Sequence, residues 1–248
     1  MTNLFQHFED HLPQNRERVF LESETHTLSF DALMTLSARY ANALRRLGVS
    51  PGDRVLVQVE KSPSAVLLYL GCLRSGAIYV PLNTAYTVPE LAYFIEDADP
   101  ALVVMEAKRS SRVNHSNVTT LLGKHGLAKA SENASAIFQT CDQLDDDIAA
   151  ILYTSGTTGR SKGAMLSHGN LSSNALTLLQ TWNWQRERDV LVHALPIYHT
   201  HGLFVAIHCA LLGASRMIFL ASFTVEAVLE ALPQTTVFMG VPTYYTRL

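Results

Sequence analysis

The chain has 248 residues, 48% of them hydrophobic and 17% charged, which is enough to bury the core of one large domain or two small ones. A formal net charge of −3 leaves no basic field for nucleic acid, and no cluster of lysines or arginines forms a membrane-surface patch. The longest apolar run, around Leu203 to Ala214, is interrupted by His208 and falls short of the roughly 18 to 20 residues of a membrane span, so no transmembrane segment is expected.

The start, MTNLFQHFEDHLPQ, contains acids and lacks both the apolar centre of a secretory signal and the arginine richness of a mitochondrial one, so the expected compartment is the cytoplasm. Ser29 then precedes apolar residues at helical spacing from Phe30 to Leu47, and Gly48 stands where a C-terminal cap belongs. Pro51-Gly52-Asp53 turns the chain into a strand from Arg54 to Val59, and Ser62 to Ser75 reads as a largely buried helix. Strand, helix and strand recur at Ile78 to Leu82, Pro89 to Ala98 and Ala101 to Met105. From about Glu106 to Asp147 the pattern weakens, and a subdomain boundary or surface excursion is expected there, giving approximate subregions 1–122 and 148–248 joined by 123–147.

Alternation resumes with a short strand at Ile148 to Tyr153 and another near Ala164 to Ser167. A helix is predicted from Asn170 to Trp182, a strand at Val190 to His193, a helix near Leu203 to Leu212, a strand at Met217 to Leu220, a helix at Val225 to Leu232 and a strand at Thr236 to Met239. Pro242 opens a last helical pattern, inside which the sequence stops, and this reads as a truncation. The expected class is α/β, with largely parallel sheets covered by helices, because parallel neighbours need crossover connections.

Between the strands at 148 and 164 lies YTSGTTGRSKGA, Tyr153 to Ala164, which gathers hydroxyls, glycines and one lysine. Gly156, Gly159 and Gly163 permit backbone conformations closed to other residues, so that successive N–H groups converge on an anion. Thr154, Ser155, Thr157 and Thr158 add hydroxyl donors, and Lys162 adds a point charge on a flexible stem. A P-loop NTPase needs Gly-Lys-Ser/Thr opening a helix. Here Arg160 and Ser161 separate Gly159 from Lys162, and Gly163 stands where the hydroxyl belongs. The loop is therefore expected to join two strands and to bind its anion through turn amides and side chains rather than a helix dipole.

This signature resembles that of the adenylate-forming superfamily of acyl-CoA synthetases, luciferase and peptide-synthetase adenylation domains. Further segments follow in family order: VPLNTAYTVPELAYFIEDADPALVV, then ALPIYHTHGLF, then MGVPTYYTRL. Within the superfamily, NTAYT, GTTGRSKGAMLSH and PIYHTHG look most like the malonyl-CoA synthetases. The resemblance implies an acid–thiol ligase that activates a carboxylate, malonate or similar, with ATP, Mg²⁺ and coenzyme A; the alternatives are another short-chain or aromatic acyl-CoA synthetase, or a folded fragment without turnover. It implies that Thr154, Ser155, Gly156, Thr157, Thr158, Gly159 and Lys162 cradle the β- and γ-phosphates, and that His199 and His201 border the acyl site. It also implies that the chain is the N-terminal portion only, with no complete catalytic set and no C-terminal domain.

Other chemistry-bearing residues have plainer readings. Arg160 either faces the phosphates or is an exposed loop arginine. Asp145-Asp146-Asp147 reads as a solvated turn in preference to a metal cage, since consecutive side chains diverge. His199, His201 and His208 lack the carboxylate or thiol partners of a metal site. His168, His193 and His208 are expected to be structural, Cys72 and Cys209 buried reduced thiols, and Tyr244 and Tyr245 core residues, with Gly240 bordering the pocket.

Overall fold

The computed structural model describes residues 3–154 and 160–248. The first half runs α1 (Leu4–Asp10), β1 (Val19–Glu22), β2 (Thr27–Ser29), α2 (Phe30–Arg46), β3 (Arg54–Gln58), α3 (Pro63–Ser75), β4 (Ile78–Pro81), α4 (Val88–Ala98), β5 (Leu102–Met105), α5 (Ala107–Ser110), β6 (Val118–Thr120) and α6 (Leu127–Glu132). Then follow β7 (Ile148–Thr154), β8 (Lys162–Ser167), α7 (His168–Thr181), β9 (Val190–His193), a π-helix His201–Ile207, α8 (His208–Leu212), β10 (Arg216–Phe219), α9 (Val225–Ala231), a 3₁₀ turn Leu232–Gln234, β11 (Val237–Phe238) and α10 (Pro242–Tyr245).

The helices start and stop where local chemistry dictates. Ser29 Oγ accepts from Ala32 N at 3.1 Å to open α2, and Gly48, at φ 86°, closes it in the left-handed region where a Cβ would strain the chain. Ser62 Oγ does the same for α3 by accepting from Ala65 N. At the head of α7 the caps are reciprocal: Ser167 N donates to Asn170 Oδ1 and Asn170 N to Ser167 Oγ, both at 3.1 Å. The Asp145 and Asp147 carbonyls accept from Gly169 N and His168 N, so the acidic run serves as backbone acceptors for that helix while Asp145 and Asp146 face solvent.

The chain divides into two compact units, Met1–Gln6 with Thr35–Asn170, and His7–Met34 with Leu171–Leu248. The 123–147 stretch lies inside the first unit. That unit carries a sheet of order β6-β5-β3-β4-β7-β8, parallel throughout except for the antiparallel edge pair β7/β8. Leu56, Val80, Leu82, Leu91, Phe94, Val103 and Met105 form a buried cluster beneath α4, each such burial worth about 1.5–3 kcal/mol. The second unit carries the order β11-β9-β10-β1-β2, again parallel except for the edge pair β1/β2. Phe20, Leu21, Leu191, Val192, Met217 and Phe219 are buried on its strands. The expected class of largely parallel, helix-covered sheets is what forms.

Several details differ from the sequence reading. The helix expected near Leu203 begins two residues earlier as a π-helix and becomes α-helical only at His208. Tyr244 and Tyr245 are not core residues: Tyr245 is 53% exposed, and Tyr244 stacks on Phe223 with ring centroids 3.8 Å apart. Cys72 and Cys209 are buried free thiols, with burial pushing both pKa values up, that of Cys209 to about 12. Among the described residues no helix is long and apolar enough to cross a membrane, and no cluster of three or more His, Cys, Asp or Glu forms a metal site.

Burial pushes the His168 and His208 imidazoles down, to about 4 and about 3, with Asp147 and Asp145 partly opposing the shift at His168. His168 Nδ1 accepts from Leu4 N at 3.0 Å, a bond that a doubly protonated ring cannot make. Below about pH 6.5 the unfolded chain takes up protons that these folded rings refuse, so stability falls with pH. Each ring subtracts about 1.4 kcal/mol per pH unit down to its folded value. Urea unfolding between about pH 7 and about pH 5 should show this slope, flattened by about one proton in His208→Leu.

Candidate functional site

β7 and β8 pair Tyr153 with Gly163 and Thr154 with Lys162, so the predicted strand–loop–strand hairpin is present. Cross-strand partners share a face, which sets the Thr154 hydroxyl and the Lys162 ammonium on the same side at the mouth of the loop, both exposed. Ser155, Gly156, Thr157, Thr158 and Gly159 lie outside the described residues. Gly163 departs from its expected part in the loop. It sits within β8 without a positive φ, and a Cβ there would come within 2.8 Å of Ile151 Cγ2, so its role is to let the two strands' side chains pack.

Behind the hairpin stands α4. Asn83 to Thr87, the NTAYT segment, delivers the chain into this helix. Gln58 Nε2 donates to the Asn83 and Tyr86 carbonyls at 2.8 and 3.1 Å, and Arg109 Nη1 donates to the Thr84 carbonyl at 2.7 Å. Thr87 N then donates to Glu90 Oε2 at 2.7 Å, half of a capping box that holds the Glu90 carboxyl below its ordinary value. A cavity of about 560 Å³ opens beside α4, lined in part by Glu90, Tyr93, Glu96, Arg160 and Ser161. Arg160 lies over the Tyr93 ring at 5.5 Å, a cation–π arrangement that draws it toward α4.

In the second unit, the loop after β9 carries Pro196 and His199, and His201 opens the π-helix that follows, at the carboxyl end of three parallel strands, where open α/β sheets hold ligands. His193 Nε2 donates to the Gly202 carbonyl at 2.8 Å and ties this loop to the strand. His199 is exposed with its ring 4.6 Å from that of Tyr198, whereas His201 is half-buried. Partial burial pushes both imidazoles below their ordinary pKa, so near neutral pH they are mostly uncharged, each ring with one N–H donor and one acceptor nitrogen. His201 lines a cavity of about 360 Å³ with Trp182, Trp184, Asp189, Gly240 and Tyr245 among its walls, and His199 is outside that lining. Asp189 already accepts from Gln185 N and the Thr236 hydroxyl. The sequence reading missed Tyr93 and Asp97 beside the hairpin and Trp182 and Trp184 beside His201.

Two helix-flanked, largely parallel sheets, one ending in the β7/β8 strand pair and the other carrying a histidine-bearing segment at its carboxyl end, make an α/β arrangement of the kind that holds small-molecule ligands. The AMP-binding enzyme family matches residues 8–248, and the chain belongs to that family. ATP-bound MatB from Rhodopseudomonas palustris has the same fold at a TM-score of 0.94 and 47% identity, over 99% of this chain and 50% of that one. Feruloyl-CoA synthase from an Amycolatopsis species is 34% identical over 225 residues, 89% of this chain and 45% of its own length. Malonate–CoA ligase from Arabidopsis thaliana is 32% identical over 228 residues, 81% of this chain and 36% of its own length. The chain thus spans about half the length, or less, of the relatives it matches.

Proposed function

We propose that this chain is the nucleotide- and acid-binding portion of an ATP-dependent acyl-CoA ligase whose carboxylate is malonate or a similar small diacid. The carrying observation is the hairpin that sets Thr154 and Lys162 face to face where the glycine- and hydroxyl-rich loop begins and ends. A free carboxylate is a poor acyl donor to a thiol, because oxide is a poor leaving group and the anion repels nucleophiles. Attack of the carboxylate on the α-phosphate of MgATP forms an acyl–phosphate bond and releases pyrophosphate. The thiol of coenzyme A then displaces AMP to give the thioester. Thr154, Ser155, Gly156, Thr157, Thr158, Gly159 and Lys162 hold the β- and γ-phosphates during the first step and stabilise the charge that develops on them.

His199 and His201 serve as neutral donors to the acid, and a diacid needs such a contact at its distal end because a buried unpaired charge is costly. Similarity to MatB and to the plant malonate–CoA ligase supports this choice. An aromatic acid is the second reading, favoured by the similarity to feruloyl-CoA synthase and by Trp182, Trp184 and Tyr245 around His201. The buried free thiols Cys72 and Cys209 suit a reducing cytoplasm.

Acid-dependent exchange of labelled pyrophosphate into ATP tests the proposal. Exchange by this chain with malonate above methylmalonate, acetate and benzoate supports the diacid ligase. Exchange confined to a longer polypeptide makes this chain a portion that folds without turnover. Preference for benzoate selects the aromatic reading, and no ATP uptake by either polypeptide sinks both.

A further inference from the structure

We propose that α4 is a clamp on the hairpin, with Tyr93 and Asp97 as positioning residues for Lys162 and Thr154. This rests on the reading of the hairpin as a phosphate site. Tyr93 and Asp97 are four residues apart, on one face of α4, and each reaches a different arm. The Tyr93 hydroxyl donates to the Ser161 carbonyl at 2.6 Å, immediately before Lys162. The Tyr153 hydroxyl donates to Asp97 Oδ2 at 2.5 Å, immediately before Thr154. Both holds therefore fall one residue from the two proposed ligating positions, one within β7 and the other just before β8 begins.

The rings alone account for the packing. Tyr153 meets Phe94 at 4.6 Å and Tyr93 at 6.5 Å, and both tyrosines pack against the buried cluster under α4. Phenylalanine would fill that space as well. What the hydroxyls add is direction, since each fixes one arm along its length at a point where sliding by part of a residue would carry Thr154 or Lys162 off the phosphates. Successive strand residues face opposite ways, so Tyr153 anchors on the α4 side while Thr154 stays free for a ligand on the other. The Arg160 guanidinium over the Tyr93 ring adds a third tie on the β8 arm.

Calorimetric titration of the chain with MgATP, inorganic tripolyphosphate and AMP tests the clamp. In Tyr93→Phe and in Asp97→Ala, the Kd for MgATP and for tripolyphosphate should rise by a similar factor, about tenfold, with AMP affinity unchanged because AMP lacks the outer phosphates. Asp97→Asn, which keeps an acceptor for the Tyr153 hydroxyl, should restore the affinity. Unchanged MgATP affinity in both variants, or a loss shared by AMP, overturns the clamp and leaves the phosphate site standing. Failure of the unaltered chain to take up MgATP or tripolyphosphate overturns the phosphate site, and the clamp with it.

Discussion

Gly202→Ala should lower the melting temperature by about 6–12 °C, corresponding to roughly 3 kcal/mol in a chain of this length. A Cβ at this position would stand 2.1 Å from the Pro196 carbonyl oxygen, 2.9 Å from its carbonyl carbon and 3.2 Å from Leu195 Cβ. Two of these neighbours are backbone atoms, so no flexible side chain can swing aside. The Gly202 carbonyl is meanwhile fixed by His193 Nε2 at 2.8 Å, and Leu203 and Phe204 follow directly into the core. Relief requires the loop from 194 to 202 to move outward, which breaks that bond and loosens the packing behind it. Thr200→Ala, at an exposed position two residues earlier, should change stability by no more than about 0.5 kcal/mol. Scanning calorimetry separates the two outcomes, and an unmoved midpoint in Gly202→Ala would mean that the close approach of the loop to itself does not exist. On the proposed reading of His199 and His201 as acid contacts, the same displacement should lower acid affinity along with stability.

This loop also marks a boundary of what local pattern can tell. The apolar run from Leu203 foretells a buried helix, and it forms, but its first half is π-helical and packs beside the close approach to Pro196 and the His193 bond, none of which has a periodic signature. Helices α2 and α3 were legible because their apolar spacing and their caps, Ser29 with Gly48 and Ser62, agree with one another. Strand β1 was not: it has four residues, and its parallel partner is β10, far along the chain, with Leu21 opposite Met217. Strand β6 joins the edge of its sheet with three half-buried residues.

The weakly patterned stretch before β7 is ordered by polar contacts instead of an apolar stripe. Asn42 Nδ2 donates to the Ser135 and Ile137 carbonyls, and Arg74 Nη2 donates to the Phe138 carbonyl, so helices α2 and α3 satisfy its backbone. At the candidate site, the residue types in the hairpin point to an anion, and the structure adds that Thr154 and Lys162 are cross-strand partners. Its support from Tyr93 and Asp97 stayed hidden because those positions look only like one face of an amphipathic helix until β7 and β8 are laid against it.

Lys162→Ala should weaken MgATP binding by about 10- to 150-fold, the loss of one charge-assisted contact of roughly 1.5–3 kcal/mol. Stability should change by no more than about 0.5 kcal/mol, because the side chain is exposed at the start of β8, the edge strand of its sheet among the described residues. That separation of MgATP binding from stability distinguishes it from Gly202→Ala, where stability itself falls. Lys162→Arg keeps the charge but replaces a compact ammonium with a planar fork, so it should recover only part of the affinity. Removing Thr154's hydroxyl, in Thr154→Val, should cost less than Lys162→Ala, about 0.5–1.5 kcal/mol for a neutral hydrogen bond. Titration calorimetry gives the order directly. Equal MgATP affinity in the unaltered chain and Lys162→Ala would mean that the ammonium, although set opposite Thr154 at the mouth of the loop, does not touch the nucleotide's phosphates, and the proposed role of the hairpin would fail on that result alone.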